Sequence, residues 1–399
     1  MNDEQIRAHA SLQSSIEYRG CPRAKLIFGL LLNPNKHQIL NIKRHTMTVE
    51  VKTLEELRKL NLFELIKTVF DNALAKGDLV YQDAVDSQIV RDPLSKIDNE
   101  VKIVDGLSQR PNNRASEPGS KEKTISESKM EDMKKNNPFT YPEPELTVID
   151  SLLGQYRVIL NKYPNSKYHF LLVTKEFEKQ DSLLNPIELQ IIHTILDNLN
   201  KGEGKNEGGS RYFSFFNSGP ESGYSQFHKH IQFMMMPEEI RPYQEDVVRN
   251  VNYFIPKEIV ENRRPLFYKN ASFKHYILKL KEYDSFETEE EEEDERDSLA
   301  TLYMYLIKRS MNIFREYEDH VKLSYNFIMM ADWMMIVPRR NAKFEDIWQN
   351  ALGFMGMFFV KNEEMKEKVL KLGFSKILEE CAFPLEEDEE HIVYNEYGY

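Results

Sequence analysis

Apolar residues recur along this chain in stretches whose spacing separates helix from strand. Between residues 53 and 75 they fall at helical intervals (Leu54, Leu57, Leu60, Leu62, Leu65, Val69), which predicts one or two helices. Residues 156–160 and 168–173 are short apolar runs on either side of a proline-containing turn and read as strands. Asn185-Pro186-Ile187-Glu188 is a helix start, with a capping Asn, Pro at the first helical position and Glu at the third. That helix is expected to run to about Leu199, with Leu189, Ile192, Ile195, Leu196 and Leu199 on one face. After a glycine-rich break at 202–209, residues 211–216 and 227–235 read as strands around a Gly/Ser/Pro-rich loop, 217–226. Residues 323–330 and 333–337 bracket Ala331-Asp332 as a hairpin, and helices are expected over 298–317 and 363–380. The alternation predicts an α+β fold, an antiparallel sheet with packed helices and long loops.

Three stretches interrupt the pattern. Residues 105–137 are rich in Ser, Asn, Pro, Lys and Glu and read as a mobile loop. Residues 289–295 form an unbroken acidic run, read as a solvated loop, and a second acidic patch lies at 386–390. Residues 1–55 show no sustained period and form an N-terminal extension of unassigned role.

Composition narrows the function classes. The formal net charge of -12 argues against a broad nucleic-acid surface, while a single basic pocket for phosphates stays compatible with it. Cys21 and Cys381, far apart in sequence, make neither a disulfide framework nor a metal knuckle, which suits a reducing compartment such as the cytoplasm. No run reaches the roughly 18 apolar residues of a membrane span. Arg7, Arg19, Arg23 and Lys25 are interspersed with Asp3, Glu4 and Glu17, unlike an acid-poor matrix-targeting peptide.

The candidate chemistry lies in residues 217–232. His228, His230 and Gln232 are spaced by two, so on a strand they share one face while Lys229, Ile231 and Phe233 share the other. Two imidazoles and a carboxamide on one face are donors and acceptors that a core would not take without partners. The loop before them holds two glycines, three serines and Asn217, and can turn backbone N–H groups and hydroxyls towards phosphate oxygens. A neutral imidazole is a competent nucleophile that splits one displacement into two. Spacing alone leaves two other readings open: half of a zinc site, for which a third ligand is wanting nearby, and two structural histidines.

The string from Asn217 to Gln232 resembles the signature of the fungal diadenosine tetraphosphate phosphorylases, or ATP adenylyltransferases, of the histidine triad superfamily. The triad hydrolases carry a third histidine where this chain has Gln232; the Gln form is typical of the transferase branch. The resemblance extends over roughly residues 62–399. It includes Asn137-Pro138-Phe139 with the segment 142–148, Asn161-Lys162-Tyr163-Pro164, His169 to Thr174, Ser324-Tyr325-Asn326, Val337-Pro338-Arg339, the segment 350–357 ending at Lys361, and the tail 395–399.

The resemblance implies a histidine-triad-like sheet in a domain over 56–399, with the mobile loop at 105–137, a catalytic core over 138–245 and a C-terminal part, 246–399, that completes the substrate site. It makes His230 the nucleophile that takes AMP, His228 its hydrogen-bonding support and Gln232 the holder of the α-phosphate. Asn217, Gly223, Tyr224, Ser225 and Gln226 would line the phosphate path. Asn161 and Lys162 would contact substrate, and Trp348, Gln349, Asn350, Met357 and Lys361 would bind from the C-terminal half. Arg110, before Pro111, stands where the family has a substrate-reaching lysine. The implied reaction is reversible phosphorolysis of diadenosine tetraphosphate to ATP and ADP, with a divalent cation such as Mg carried on the nucleotide and no protein-bound metal. The implied partners are a dinucleoside polyphosphate, ATP, ADP and phosphate, in a monomer of the cytoplasm or nucleus. The rival readings are a sugar-phosphate uridylyltransferase, a dinucleotide hydrolase and a non-catalytic nucleotide sensor.

Overall fold

The computed structural model describes residues 49–81, 86–104, 137–201, 211–249, 251, 265–282, 288–317 and 322–385. The chain enters through β1 (Glu50–Val51), which pairs in parallel with a later strand, so residues assigned above to the N-terminal extension already belong to the main sheet. Helices α1 (Leu54–Lys59) and α2 (Leu62–Lys76) follow, capped by Thr53, which accepts from Glu56 N–H, and Asn61, which accepts from Glu64 N–H. Next come β2 (Ser87–Arg91) and β3 (Asp98–Ile103), then β4 (Thr147–Leu152), β5 (Tyr156–Leu160) and β6 (Phe170–Thr174). Helix α3 (Pro186–Asn200) starts in a full capping box between Asn185 and Glu188, as the sequence predicts.

The central strands are β7 (Tyr212–Ser218) and β8 (His230–Met235). After α4 (Tyr243–Val248) and β9 (Tyr276–Lys279) comes α5 (Glu289–Glu316), then β10 (Tyr325–Met329), β11 (Trp333–Pro338), β12 (Lys343–Phe344), β13 (Ile347–Trp348) and β14 (Met357–Val360). The chain closes with α6 (Glu363–Leu372) and α7 (Phe374–Cys381). The main sheet runs β1-β4-β5-β6-β8-β7-β10-β11-β9, and every pairing in it is antiparallel except β1 with β4. The fold is α+β.

The acidic run corrects the expectation of a solvated loop. Thr288 and Glu291 form a capping box, and the carboxylates of the first turn meet the positive end of the helix dipole, so the run opens α5. Glu295 is fully buried there, paired with His193 Nδ1 at 2.6 Å and accepting from Gln190 Nε2 at 3.0 Å. The single helix expected over 363–380 is two, because Gly373 takes φ 85° and turns the chain. Among the described residues no helix is long and apolar enough to cross a membrane.

Both sheet faces are covered. One packs Val158, Leu172, Ile231 and Phe233 against α1, α2, α3 and α5. The other packs Phe213, Phe215, Met234 and Met335 against the C-terminal part. On β8 the odd positions therefore go to the helices and the even ones to the opposite face, as the period of two predicted. Lys229, at the foot of β8, is buried on the helical side and ion-pairs with the fully buried Glu188 of α3 at 2.7 Å. Burial pushes the Glu188 carboxyl up, and the Lys229 ammonium opposes that rise.

Replacing Lys229 by Met should leave Glu188 buried without its cation and lower stability by about 3–5 kcal/mol, measured by urea unfolding. The double variant Lys229→Met/Glu188→Leu should recover most of that loss; an equal loss in both would mean that the pair is irrelevant.

Candidate active site

The site forms where two central strands part. β7 and β8 pair from Tyr212↔Met235 to Phe215↔Gln232. Beyond that point β7 follows β10 as far as Ser218, and β8 follows β6 as far as His230. The buried side chain of Gln180 spans the fork: its Oε1 accepts from His230 N–H at 2.8 Å, and its Nε2 donates to the carbonyls of Asn217 at 2.9 Å and His230 at 3.2 Å.

His230 is almost fully buried, and its Nδ1 lies 2.8 Å from the main-chain carbonyl of His228. A carbonyl only accepts, so Nδ1 carries the hydrogen and Nε2 the lone pair. Burial pulls the ring's pKa down to about 4, with the His228 carbonyl opposing that shift. The side chain is thus held as a neutral imidazole with a defined lone-pair nitrogen.

His228 meets His230 through this carbonyl, and its ring is engaged elsewhere. Thr174 Oγ1 donates to Glu176 O and so accepts from His228 Nε2–H at 2.8 Å. His228 Nδ1 then accepts from Asn137 Nδ2 at 2.5 Å, while Asn137 Oδ1 accepts from Phe139 N–H at 3.0 Å. The regular strand begins only at His230, and the His228 ring is turned to anchor the 137–139 segment. That segment lays Phe139 against His228 and His230, with ring centroids 5.8 and 5.4 Å away, over a small cluster with Ile159, Leu171 and Val173.

Two amides flank His230 with their polarity fixed. His169 Nδ1 accepts from Asn165 N–H at 3.4 Å, so its Nε2–H donates to Gln232 Oε1 at 3.1 Å. Gln232 therefore offers its NH2 end to a ligand. Asn217 Oδ1 accepts from Asn326 Nδ2 at 2.7 Å and from Ala351 N–H at 3.1 Å. Its Nδ2 is buried and has no hydrogen-bond partner among the described residues, an arrangement that costs stability unless a ligand oxygen fills it.

Behind the loop lies the fully buried Arg339, whose guanidinium donates to Cys381 O, Ser222 O, Asn326 Oδ1, Asn341 O and Gln349 O. All five acceptors are uncharged. Arg339 ties the 217–226 loop to the segment carrying Gln349 and Asn350. Gly223 seals the same junction: at φ 81° it lies so close that a Cβ would sit 2.2 Å from Gln349 O.

The structure brings His230, Gln232, Asn217, Gly223, Gln349 and the Asn350 backbone into one neighbourhood. Tyr224 packs edge-on against Phe227, Ser225 is exposed and Gln226 half-buried. Asn161 accepts from Tyr163 N–H through Oδ1, and its own N–H donates to His169 O at 3.0 Å. Lys162 is paired with Glu143 at 2.6 Å. Trp348 carries Lys343 over its ring, Asn350 Oδ1 accepts from Leu352 N–H, Met357 is buried in the core and Lys361 is exposed. Arg110, nearly all of the 105–137 loop and the acidic patch at 386–390 lie outside the described residues. Gln180 was not singled out from the sequence. His169, Thr174, Asn326, Arg339, Asn137 and Phe139 stood inside the family-like motifs without a role, and their place in those motifs was the one signal pointing to them.

A family model for the Ap4A phosphorylase N-terminal domain matches residues 52–248, and one for the ATP adenylyltransferase C-terminal domain matches residues 269–384. Diadenosine 5',5'''-P1,P4-tetraphosphate phosphorylase 2 of Saccharomyces cerevisiae is 31% identical over 334 residues, covering 81% of this chain and 95% of its own length. Protein APA1 of the same yeast is 32% identical over 274 residues, covering 66% and 80%. The crystal structure of yeast Ap4A phosphorylase Apa2 in complex with AMP superposes with a TM-score of 0.67 at 30% identity, over 83% of this chain and 99% of that one. Its complex with Ap4A gives 0.65 at 30%, over 82% and 98%.

With a folded pKa of about 4 against the ordinary 6.5, the unfolded chain binds the His230 proton first as pH falls. His230 should therefore withdraw stability progressively from pH 6.5 towards pH 4, and His230→Asn should flatten that part of the stability–pH curve. Ring NMR signals of His230 that titrate near pH 6.5 would contradict the assignment.

Proposed function

The chain belongs to the Ap4A phosphorylase family, and from that premise we propose that it cleaves diadenosine tetraphosphate by phosphorolysis through an AMP group carried on His230. The observation that carries the reading is the neutral His230, its Nε2 lone pair set by the His228 carbonyl, flanked by two amide NH2 groups of fixed polarity.

In the first step Nε2 attacks the α-phosphorus, a P–N bond forms, and the bond from that phosphorus to the bridging oxygen breaks to release ATP. In the second, an oxygen of inorganic phosphate attacks the same phosphorus, the P–N bond breaks, and ADP leaves while His230 recovers its lone pair. Gln232 and Asn217 donate to the non-bridging oxygens, on which charge builds in the transition state. Burial keeps water from the Asn217 donor and strengthens it. Both steps exchange one phosphoryl linkage for another, so synthesis from ATP and ADP is part of the same proposal.

A divalent cation such as Mg belongs to the proposal as a companion of the substrate polyphosphate. Among the described residues no group of three or more His, Cys, Asp or Glu is placed to hold a metal ion. The setting proposed is a monomer in the cytoplasm, where the buried free thiol of Cys381 stays reduced.

Incubation with diadenosine tetraphosphate and Mg, with and without phosphate, followed by anion-exchange separation, tests the reading. ATP and ADP should appear only with phosphate, and His230→Ala should lose roughly a thousand-fold or more in rate. ATP and AMP formed without phosphate would make the enzyme a hydrolase. Gln232→Ala and Asn217→Ala should each lower kcat by about 100-fold, as when one preorganised donor is removed.

A further inference from the structure

We infer that Gln180 is the positioning residue of the nucleophile, its side chain replacing the backbone rungs that β7 and β8 do not form at the fork of the sheet. This rests on the proposed function of His230.

If the register of β7 and β8 continued, Phe216 would face Ile231 and Asn217 would face His230, but the pairing stops at Phe215↔Gln232. A continued ladder would hold the strands about 4.8 Å apart, leaving the two site side chains crowded against each other. The Gln180 carboxamide stands in that gap and serves both edges at once. His230 N–H can only donate, so it fixes Oε1 towards β8, and the NH2 end must then face the carbonyls of Asn217 and His230. One amide therefore sets the distance between the chain that carries the nucleophile and the chain that carries the Asn217 donor.

Gln180 is itself held from behind. Its own N–H donates to Phe227 O at 2.8 Å, Lys229 N–H donates to Glu178 O at 2.8 Å, and Lys179 bridges to His228. The short segment thus forms a private strand pairing with the residues just before His230. With its side chain 1% exposed, Gln180 cannot exchange its three bonds for water. Its hydrogen bonds reach only main-chain atoms of the site, so it acts through His230 and Asn217.

The test is a single-turnover measurement of label transfer from α-32P diadenosine tetraphosphate to the protein without phosphate, together with KM, kcat and the unfolding midpoint. Gln180→Met keeps the shape and removes all three bonds; Gln180→Glu keeps an acceptor for His230 N–H and loses the two donations. The rate of labelling should fall by about 100-fold in Gln180→Met and by less in Gln180→Glu, with KM within about threefold of wild type. Wild-type labelling rates in either soluble variant would overturn the inference, as would a loss that appears wholly in KM. If Gln180→Met does not fold, Gln180→Glu alone decides by the same criteria. Wild-type protein that never takes label would overturn the reading of His230 itself and this inference with it, an outcome distinct from variants that match an active wild type.

Discussion

The hydrogen bond from His230 Nδ1–H to the main-chain carbonyl of His228 decides what this site can do. A ring free to choose its tautomer would divide its lone pair between two nitrogens and two directions. Pinned to a carbonyl two residues back, it has one lone pair, on Nε2. Burial adds the second condition by disfavouring the imidazolium, so the ring already has the free lone pair that the proposed attack requires. A carbonyl in place of a carboxylate partner matters here, because a buried anion would have pulled the ring's pKa upwards.

The rest of the site consists of groups that can act in one sense only and so impose polarity on their neighbours. Arg339 can only donate, and Asn326 turns its oxygen towards it and its NH2 towards Asn217. The Asn165 N–H can only donate, and His169 passes that direction to Gln232. Both chains end at an amide NH2, the group that the proposed reaction sets against an anionic oxygen. Arg339 contributes a buried positive charge whose hydrogen bonds all go to neutral acceptors; burial lowers its pKa to about 10, still well above neutral pH, and the nearby Glu221 carboxylate opposes that fall. Its five neutral acceptors satisfy the guanidinium geometrically without neutralising its charge.

Much of the architecture was legible in the chain. The Asn185 capping box, the hairpin around Ala331-Asp332 and the two-residue period of His230 and Gln232 depend on neighbours within a few residues, and the structure has all three. The acidic run was misread because charge suggests solvation, whereas a capping Thr288 and the helix dipole turn the same carboxylates into a helix start. That His228 meets His230 through its carbonyl is a detail that spacing could not give, because the regular strand does not begin until His230.

What the sequence determined by itself is therefore the local grammar: caps, periods and the ordered motifs that mark the family. Tertiary structure decided the tautomer of His230, the polarity of Gln232 and Asn217, and the fork that Gln180 holds open. Gln180 is 50 residues from His230, His169 is 63 from Gln232, and Arg339 is 117 from Ser222. No local period carries contacts of that separation. They are selected because a buried donor or acceptor must find a partner wherever the packed chain brings one.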